Sequence, residues 1–479
     1  MNQKLLVLAL AGLAFFWSTA RWRAALQLAL VVVIVEGALR KWLFRESEQI
    51  LYFGKDIVLL GCYFGYWRAQ GARRYRLPVS AGLITLLGLA AAWAALEIFN
   101  VNLPNLWVGL AGFKAYFFYV PMMFVVPACF ESDQEIYQFL RRYFLLVIPV
   151  GSLALLQFAS PATSRLNTYA RSNDEGFVAT FGSSEHVRVT ATFPFITGFT
   201  SYLLALTILL LAFLAAGKWN FRRDRVLYIC VAFALLGMLV SGSRTPIYTM
   251  AALFPFYWYF AVFRERDAGA AATRAIMIIG VLSVAGSLFA REAVQAFVGR
   301  ASASTDTASR FTTPILGPWE LMPHAGFLGF GTGATHQMAA ALAPSIIPYS
   351  WMHGLYAEVE SGKIMLELGV IGFVLVYSAR LALVAIAFDH ARRLRTRFHR
   401  ALATAAFLYF LGQVFGAPVF DVTCGVYYWF FAGLMMLAVR LDLQAVRATA
   451  PVVRPLPAHE FPAKLAPAMR WQSPPVSRS

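Results

Sequence analysis

Charged residues are scarce in this chain. Only 14% of its 479 residues are charged, while 59% are hydrophobic and the mean hydropathy is +0.62. A soluble domain carries about a quarter charged residues, so this chain lacks the polar surface that water on all sides requires. The shortage excludes a soluble globular protein and indicates an integral membrane protein, for which hydrocarbon is the main solvent.

Several motifs typical of other protein classes are also missing. The four cysteines lie in or beside apolar stretches without metal-ligand spacing, so we expect small buried hydrophobes rather than disulfide or zinc chemistry. The chain has no Walker A motif and no internal repeat, which lowers the odds of an ATP-driven pump or a repeat-built transporter without excluding either. The N-terminal apolar run has no signal-peptide cleavage site before Arg21 and is expected to remain as a helix.

Positive charge, in contrast, is in excess, with a formal net charge of +17. The basic residues stand in short clusters between apolar stretches, which excludes nucleic acid as the partner and suits membrane lipid headgroups instead. The positive-inside rule puts these clusters, and the C-terminus, in the cytoplasm. Arg40, Lys41 and Arg45 break the pattern, so either a span is miscounted there or these charges have a function. The clusters fall at 68–76, 141–142, 218–225, 264–274 and 392–400.

Apolar stretches recur along most of the chain. A transmembrane helix takes ~20 mostly apolar residues, so the pattern predicts an all-α polytopic membrane protein with a bundle of about 12–14 transmembrane helices. A large extracytoplasmic loop is expected between the tenth and eleventh spans. The predicted spans are 5–18, 24–39, 50–67, 79–99, 106–130, 143–158, 193–216, 226–240, 245–263, 275–289, 363–388, 401–415 and 425–439.

The spans divide the chain into six regions. Long loops in a compact protein are usually functional or disordered. The larger extracytoplasmic loop contains apolar and aromatic residues, so we expect it to fold with short helices at the membrane interface. The regions are N-terminal transmembrane helices at 1–158, a first extracytoplasmic loop at 159–192, central transmembrane helices at 193–290, the large extracytoplasmic loop at 291–362, C-terminal transmembrane helices at 363–440, and a Pro-rich cytoplasmic tail at 441–479 that we expect to be disordered.

Three arginines fall outside the cytoplasm on this topology: Arg188, Arg244 and Arg310. A single arginine at a helix end is more often a snorkelling side chain than a ligand. Arg244 is the stronger candidate, because its turn is too short to need a solubilising residue and positive charge is disfavoured on that face. A guanidinium there could bind phosphate oxygens in a bidentate fork.

The large loop contains two further candidate groups. The run from Gly326 to His336 is rich in glycine, including Gly331 and Gly333, and such backbone can cradle an anion, although a flexible turn is the simpler alternative. Glu358 could act as a general base at the membrane surface, with His336 and His353 as alternative bases. The simpler alternative for Glu358 is a solvated carboxylate paired with Glu360 at a helix start.

Charged residues also occur within the predicted spans. Charges in hydrocarbon are costly and often functional, but helix-to-helix ion pairs are the explanation that we favour here. The residues are Glu36, Lys55, Asp56, Glu97 and Lys114.

These segments, taken in order, resemble the O-antigen polymerase and ligase family (Wzy/WaaL type). The resemblance spans about 106–439 and depends on order and spacing more than on one diagnostic motif. It is carried by Arg188-Val-Thr-Ala-Thr-Phe before a span, Ser241-Gly-Ser-Arg-Thr at an outer turn, the large loop with Gly329-Phe-Gly-Thr-Gly, and the closing Glu367-Leu-Gly-Val-Ile-Gly.

The resemblance implies a glycosyltransferase of the bacterial inner membrane that takes a glycan from an undecaprenyl-diphosphate carrier, without nucleotide sugar, cofactor or metal. Arg188 and Arg244, with Arg310, would bind the diphosphate, and a base near the end of the large loop would deprotonate the acceptor hydroxyl. Ligases tend to carry His, often His-Asn, at the spacing where Glu358 stands here, and His353 lies five residues earlier. This departure favours a polymerase of O-antigen or exopolysaccharide and leaves the base open between Glu358 and His353.

Three alternatives remain open. A ligase of the same fold would transfer finished glycan to another acceptor. A flippase or other transporter would place its charges mid-bilayer, and a non-catalytic subunit would work beside other polysaccharide-assembly proteins and tolerate loss of Arg244.

Overall fold

The computed structural model describes most of the chain. The chain divides into two compact units, Met1–Asp442 and Leu443–Ser479. Of the second unit, only residues 443–449 are described. The residues outside the description are 1–2, 71–78, 171–177, 182–185, 217–220, 261–306 except the single positions 269, 280 and 295, 343–358, and 450–479.

The fold is all helical, as predicted for an all-α membrane protein, with 78% helix and no β-strand among the described residues. A π-helical turn, Leu39–Leu43, extends the second helix. In chain order the helices are α1 (Gln3–Ala20), α2 (Trp22–Ala38), α3 (Glu48–Tyr52), α4 (Gly54–Gln70), α5 (Ala81–Leu96), α6 (Leu106–Phe117), α7 (Met122–Cys129), α8 (Asp133–Phe144), α9 (Val147–Ala159), α10 (Ile196–Ala216), α11 (Phe221–Val240), α12 (Thr245–Trp258), α13 (Thr307–Ala325), α14 (Ala339–Leu342), α15 (Glu360–Arg393), α16 (Arg397–Gly412) and α17 (Val422–Thr449).

Six of the described helical stretches are long and apolar enough to cross a membrane, and α6 with α7, bent by 42°, would make a seventh. Twelve of the thirteen predicted spans overlap described helices over most of their length; residues 261–263 of the ninth span, and all of the tenth at 275–289 except residue 280, lie outside the description. The total of about 12–14 spans remains a prediction. The six stretches are Trp22–Leu43, Ala81–Phe99, Asp133–Ala159, Ile196–Ala216, Glu360–Arg393 and Val422–Val446.

Two predicted regions differ in detail from the structure. The described part of the large loop contains α13, a helix of 19 residues rather than a short one. It packs on α15, where the Ser361 hydroxyl donates to the Pro314 carbonyl at 2.8 Å and the Trp319 ring lies 5.9 Å from that of Phe373. At the other end, α17 continues to Thr449, past the predicted start of the tail at 441.

Helix α15 is sharply broken at Gly369, whose backbone angles are φ 62° and ψ −169°. In a straight helix, residues twenty positions apart lie roughly 30 Å from each other. The break folds the first turns back, so that the Arg380 guanidinium forms an ion pair with Glu360. Glu360 also accepts bonds from the backbone N–H groups of Val419 and Phe420, each at 2.9 Å. The expectation of a solvated Glu360 is therefore wrong, because the break buries this carboxylate against the α16–α17 loop.

Contacts between connecting segments define one end of the helix bundle, called the cavity end below. There the Lys41 ammonium, just beyond α2, donates to the Thr190 hydroxyl at 3.0 Å and to the Ala191 carbonyl at 2.5 Å. The Val189 N–H donates to the Val240 carbonyl at 3.3 Å, which joins the α9–α10 segment to the end of α11.

At the opposite end, called the basic end, Arg23 at the start of α2 pairs with Glu131 at 2.7 Å. His399 near the start of α16 bridges Asp133 and Asp442 at 2.8 and 3.1 Å.

Candidate functional site

A buried network of ion pairs lies where α2 and α4 meet at the cavity end. Glu36 pairs with Arg40 one helical turn later (3.2 Å) and with Lys55 of α4 (2.8 Å), and the other Arg40 Nη atom reaches Glu48 at 2.7 Å. Burial makes these pairs necessary, because an uncompensated charge in hydrocarbon would be far more costly. The expected pairing of Glu36 and Lys55 is confirmed, and Arg40 is accounted for by two carboxylate partners.

A second pair lies beside this network. Lys114 of α6 contacts Asp56 of α4 at 2.6 Å, and the Tyr119 hydroxyl donates to the other Asp56 oxygen at 2.6 Å. The expected helix-to-helix pairing of Asp56 and Lys114 is confirmed. Glu97 lies in the 3₁₀ turn that follows α5, where its carboxylate accepts from the nearby Asn100 amide at 2.5 Å, and it forms no helix-to-helix ion pair with any residue that the structure describes.

The ion-pair network forms one wall of a cavity of about 340 Å³. Four separate parts of the chain contribute to it: the region around α2–α4, the start of α10, the segment after the glycine run, and the α16–α17 loop. The cavity combines cations, carboxylates and aromatic rings. It is lined by Val33, Glu36, Arg40, Glu48, Tyr52, Phe53, Lys55, Pro194, Phe195, Thr197, Gly198, His336, Gln337, Met338, Leu342, Phe420, Asp421, Val422 and Thr423.

Among the predicted site residues whose side chains the structure describes, His336 alone lines this cavity. Burial, with smaller contributions from Lys114 and Lys363, lowers the pKa of His336 to about 4, so the ring is neutral near pH 7. Its Nδ1 accepts a bond from the Met338 N–H at 3.2 Å. A neutral imidazole that accepts at Nδ1 carries its proton on Nε2, so His336 is suited to donate a hydrogen bond to a ligand.

Asp421, which also lines the cavity, was missed in the sequence. One carboxylate oxygen accepts from the Ser201 hydroxyl of α10 at 2.6 Å, and the other accepts from the Thr423 N–H at 3.0 Å. Burial raises the pKa of Asp421 above its usual value. The available signal was an acidic residue in an otherwise apolar loop, which says nothing about what it faces.

Arg188 and Arg244 belong to segments that contact each other, and neither is among the residues that line the cavity. Arg188 Nε approaches the Ser241 carbonyl at 3.4 Å, in the turn that leads to Arg244 at the start of α12. Arg244 is largely buried. The structure therefore brings Arg188 to the Arg244 turn, although the two are far apart in sequence.

The glycine run lies against the protein's own backbone. Gly331 and Gly333 have φ values of 100° and 86°, which favour glycine. The Gly331 N–H donates to the Glu367 carbonyl at 3.0 Å, and the Glu367 carboxylate accepts from the Thr335 N–H and hydroxyl, each at 2.8 Å, and from Tyr116 at 2.9 Å. The run thus holds His336 at the cavity, while the substrate-binding role of the two glycines remains a prediction.

Three predicted site residues cannot be placed beside these groups. Glu358 and His353 lie outside the described residues. Arg310 belongs to α13, but its side chain is likewise outside the description. No group of three or more His, Cys, Asp or Glu within the described parts of the chain is arranged to hold a metal ion.

No protein-family model matches this chain, and no curated protein matches it.

Proposed function

We propose that this protein is an inner-membrane glycosyltransferase that polymerises undecaprenyl-diphosphate-linked oligosaccharide repeat units into O-antigen or exopolysaccharide at the periplasmic face. The observation that carries the proposal is the cavity that brings Arg40, Lys55, His336 and Phe420 together at one end of an apolar helix bundle. Such a site offers a hydrogen-bond donor, the His336 ring, and carboxylate acceptors to the hydroxyls of a sugar, and aromatic rings to the apolar faces of sugars.

The distribution of basic residues supports a periplasmic position for the cavity. Arg393 ends α15 and Arg400 lies in the first turns of α16, so both belong to the basic end, as does Arg23. The positive-inside rule assigns that end to the cytoplasm. The opposite end then faces the periplasm.

The chemistry of the reaction suits these residues. A diphosphate leaving group carries negative charge that cations stabilise as the bond to the sugar breaks. Arg188 and Arg244, at adjoining positions in the cavity end, would hold the diphosphate, and His336 would donate a hydrogen bond through Nε2. The prenyl chain of the donor would remain in the membrane lipid beside the bundle.

The positions of the buried charges favour an enzyme over a transporter. Glu36 and Arg40 lie near the last turn of α2, while Lys55 and Asp56 lie in the first turn of α4, so the network is at a helix end. A transporter is expected to place such groups near the bilayer midplane. A ligase of the same fold remains the nearest alternative.

The test is the length of glycan made by cells whose only copy carries Arg244→Ala or His336→Ala. We expect the glycan to fall to single repeat units on the lipid carrier, with the membrane level of the protein unchanged on a blot. Arg393→Ala is the matched control, because that arginine has 78% of its side chain exposed at the basic end. Polymer of normal length in both variants would refute the proposed site, and finished polymer retained on the carrier would indicate a ligase.

A further inference from the structure

The three carboxylates that line the cavity differ in their partners. Glu36 and Glu48 both form ion pairs with Arg40, and Glu36 pairs with Lys55 as well. A carboxylate oxygen that already holds a cation is not open to a substrate hydroxyl. Asp421 forms no ion pair with any residue that the structure describes, and its oxygens accept only from neutral donors. Asp421 is therefore the cavity carboxylate best suited to accept a proton.

The histidine in the same cavity is poorly suited to that role. His336 Nδ1 already accepts from the Met338 N–H, and the remaining ring nitrogen carries the proton of the neutral tautomer. Before it could accept a proton, the ring would have to give up the bond from Met338, because its other nitrogen already carries a hydrogen. His336 and Asp421 thus offer a donor and an acceptor to a ligand in the cavity.

We propose that Asp421 is the general base of the reaction. Its carboxylate takes the proton from the acceptor sugar hydroxyl as that oxygen attacks the anomeric carbon of the donor. The new bond joins the acceptor oxygen to that carbon, the bond from the carbon to the diphosphate oxygen breaks, and the prenyl diphosphate leaves with the electron pair. This inference rests on the proposed function, and it assigns the base to a residue that is not among the candidate bases predicted from the sequence.

The surroundings of Asp421 fix the carboxylate and favour its protonated form. Ser201 on α10 and the Thr423 N–H on α17 hold its two oxygens, and burial raises the pKa of the group, with a smaller contribution from the carboxylate of Glu360. A base whose pKa lies closer to the working pH transfers protons more effectively. Glu360 from α15, Tyr409 from α16 and Cys424 from α17 interact with Asp421 electrostatically. The other titratable or charged groups of the cavity lining are Glu36, Arg40, Glu48, Tyr52, Lys55 and His336.

Asp421 also has a structural role that the test must separate from catalysis. Its bond from the Thr423 N–H caps the N-terminus of α17. Asparagine caps a helix as well as aspartate does, but its amide cannot accept the proton. Asp421→Asn therefore keeps the cap and removes the base.

The experiment measures polymerisation by the purified full-length protein in lipid nanodiscs. The substrate is lipid-linked oligosaccharide extracted from cells that lack the protein. We expect Asp421→Asn to lower the rate by about 100-fold or more, the contribution typical of a general base, with unchanged thermal stability. Asp421→Glu should recover part of the rate, because it restores a carboxylate.

A second variant tests the role through pH. The Ser201 hydroxyl stabilises the charged carboxylate, so Ser201→Ala should raise the pKa of Asp421 further. Activity that requires the carboxylate is lost as the pH falls through that pKa, so the acidic limb of the kcat/KM profile should move to higher pH in Ser201→Ala. A residue that served only as a helix cap would leave the limb in place.

The outcomes separate this inference from the proposed function. Wild-type rates in Asp421→Asn, while Arg244→Ala loses polymer, would overturn Asp421 as the base and leave the polymerase in place. Loss of rate in Glu358→Gln with none in Asp421→Asn would return the base to the large loop. A wild-type protein that makes no polymer from this substrate would refute the function itself and the inference with it.

Discussion

Replacing Gly331 with alanine would test how tightly the glycine run is held against the bundle. Gly331 has a φ of 100°, and a Cβ atom built there would lie 2.5 Å from Leu103 Cγ and 2.9 Å from Asn100 Cβ. Alanine at such a backbone angle is strained by about 1–3 kcal/mol. The overlap with Leu103 adds about 1–3 kcal/mol as the core shifts to accept it. We therefore expect a loss of about 2–6 kcal/mol in the free energy of unfolding.

The matched control is Gly326→Ala in the same run. Gly326 has a φ of 62°, but a Cβ atom there would meet nothing within 4 Å. Its expected cost is the backbone strain alone, about 1–2 kcal/mol. This strain should not exceed that at Gly331, because a φ of 62° lies in the allowed left-handed region and a φ of 100° lies outside it. The loss of unfolded-state entropy is common to both substitutions and cancels in the comparison.

The assay is an SDS titration of each purified protein in mixed micelles, followed by helix content. The free energy of unfolding of Gly331→Ala should lie at least about 1 kcal/mol below that of Gly326→Ala, the lower end of the added packing cost. Equal values for the two variants would show that the run is not packed against Leu103 and Asn100 as described, and would reopen its interpretation as a flexible turn.

Two further predictions concern buried charge. Arg380→Met should destabilise the protein by about 3–5 kcal/mol, because it leaves Glu360 buried without its cation. Adding Glu360→Gln should recover most of that loss in the same titration, and no recovery in the double variant would contradict the buried pair. Folding lowers the pKa of His336 from 6.5 to about 4, so the ring takes up a proton in the unfolded chain at a higher pH than in the folded protein. The contribution of the neutral ring to the free energy of unfolding is therefore complete above pH 6.5 and is lost as the pH falls to 4. His336→Gln should remove this part of the pH dependence of unfolding, and a curve identical to that of the wild type would show that the ring is not buried.

The positions of the helices could be predicted from the sequence because a membrane span depends on local composition. The predicted span at 193–216 and the helix α10 at Ile196–Ala216 differ by three residues at one end. An apolar run of sufficient length is helical in a bilayer whatever its neighbours are, since every backbone polar group must be paired within the segment. The cost of burying charge also predicted that Glu36 and Asp56 form ion pairs. It did not predict which cation pairs with which carboxylate.

The break in α15 could not be predicted from the local sequence. Gly369 stands in an apolar stretch that reads as one continuous span, and nothing in its neighbours indicates a left-handed turn there. The break is decided by packing, since the Phe330 and Gly331 N–H groups donate to the carbonyls of Leu366 and Glu367 just before it. Pairing of Glu360 with Arg380 is a consequence of that fold.

The sequence by itself determined the apolar surroundings that this protein requires, the places of most of its apolar helices, and the cost of each buried charge, because these follow from the chemistry of residues close together in the chain. Only the tertiary structure decided that His336 and Asp421 line one cavity and that Arg188 reaches the turn before Arg244. These contacts depend on how helices that are distant in the chain pack together. Packing depends on many side chains at once, so it cannot be predicted from any short segment.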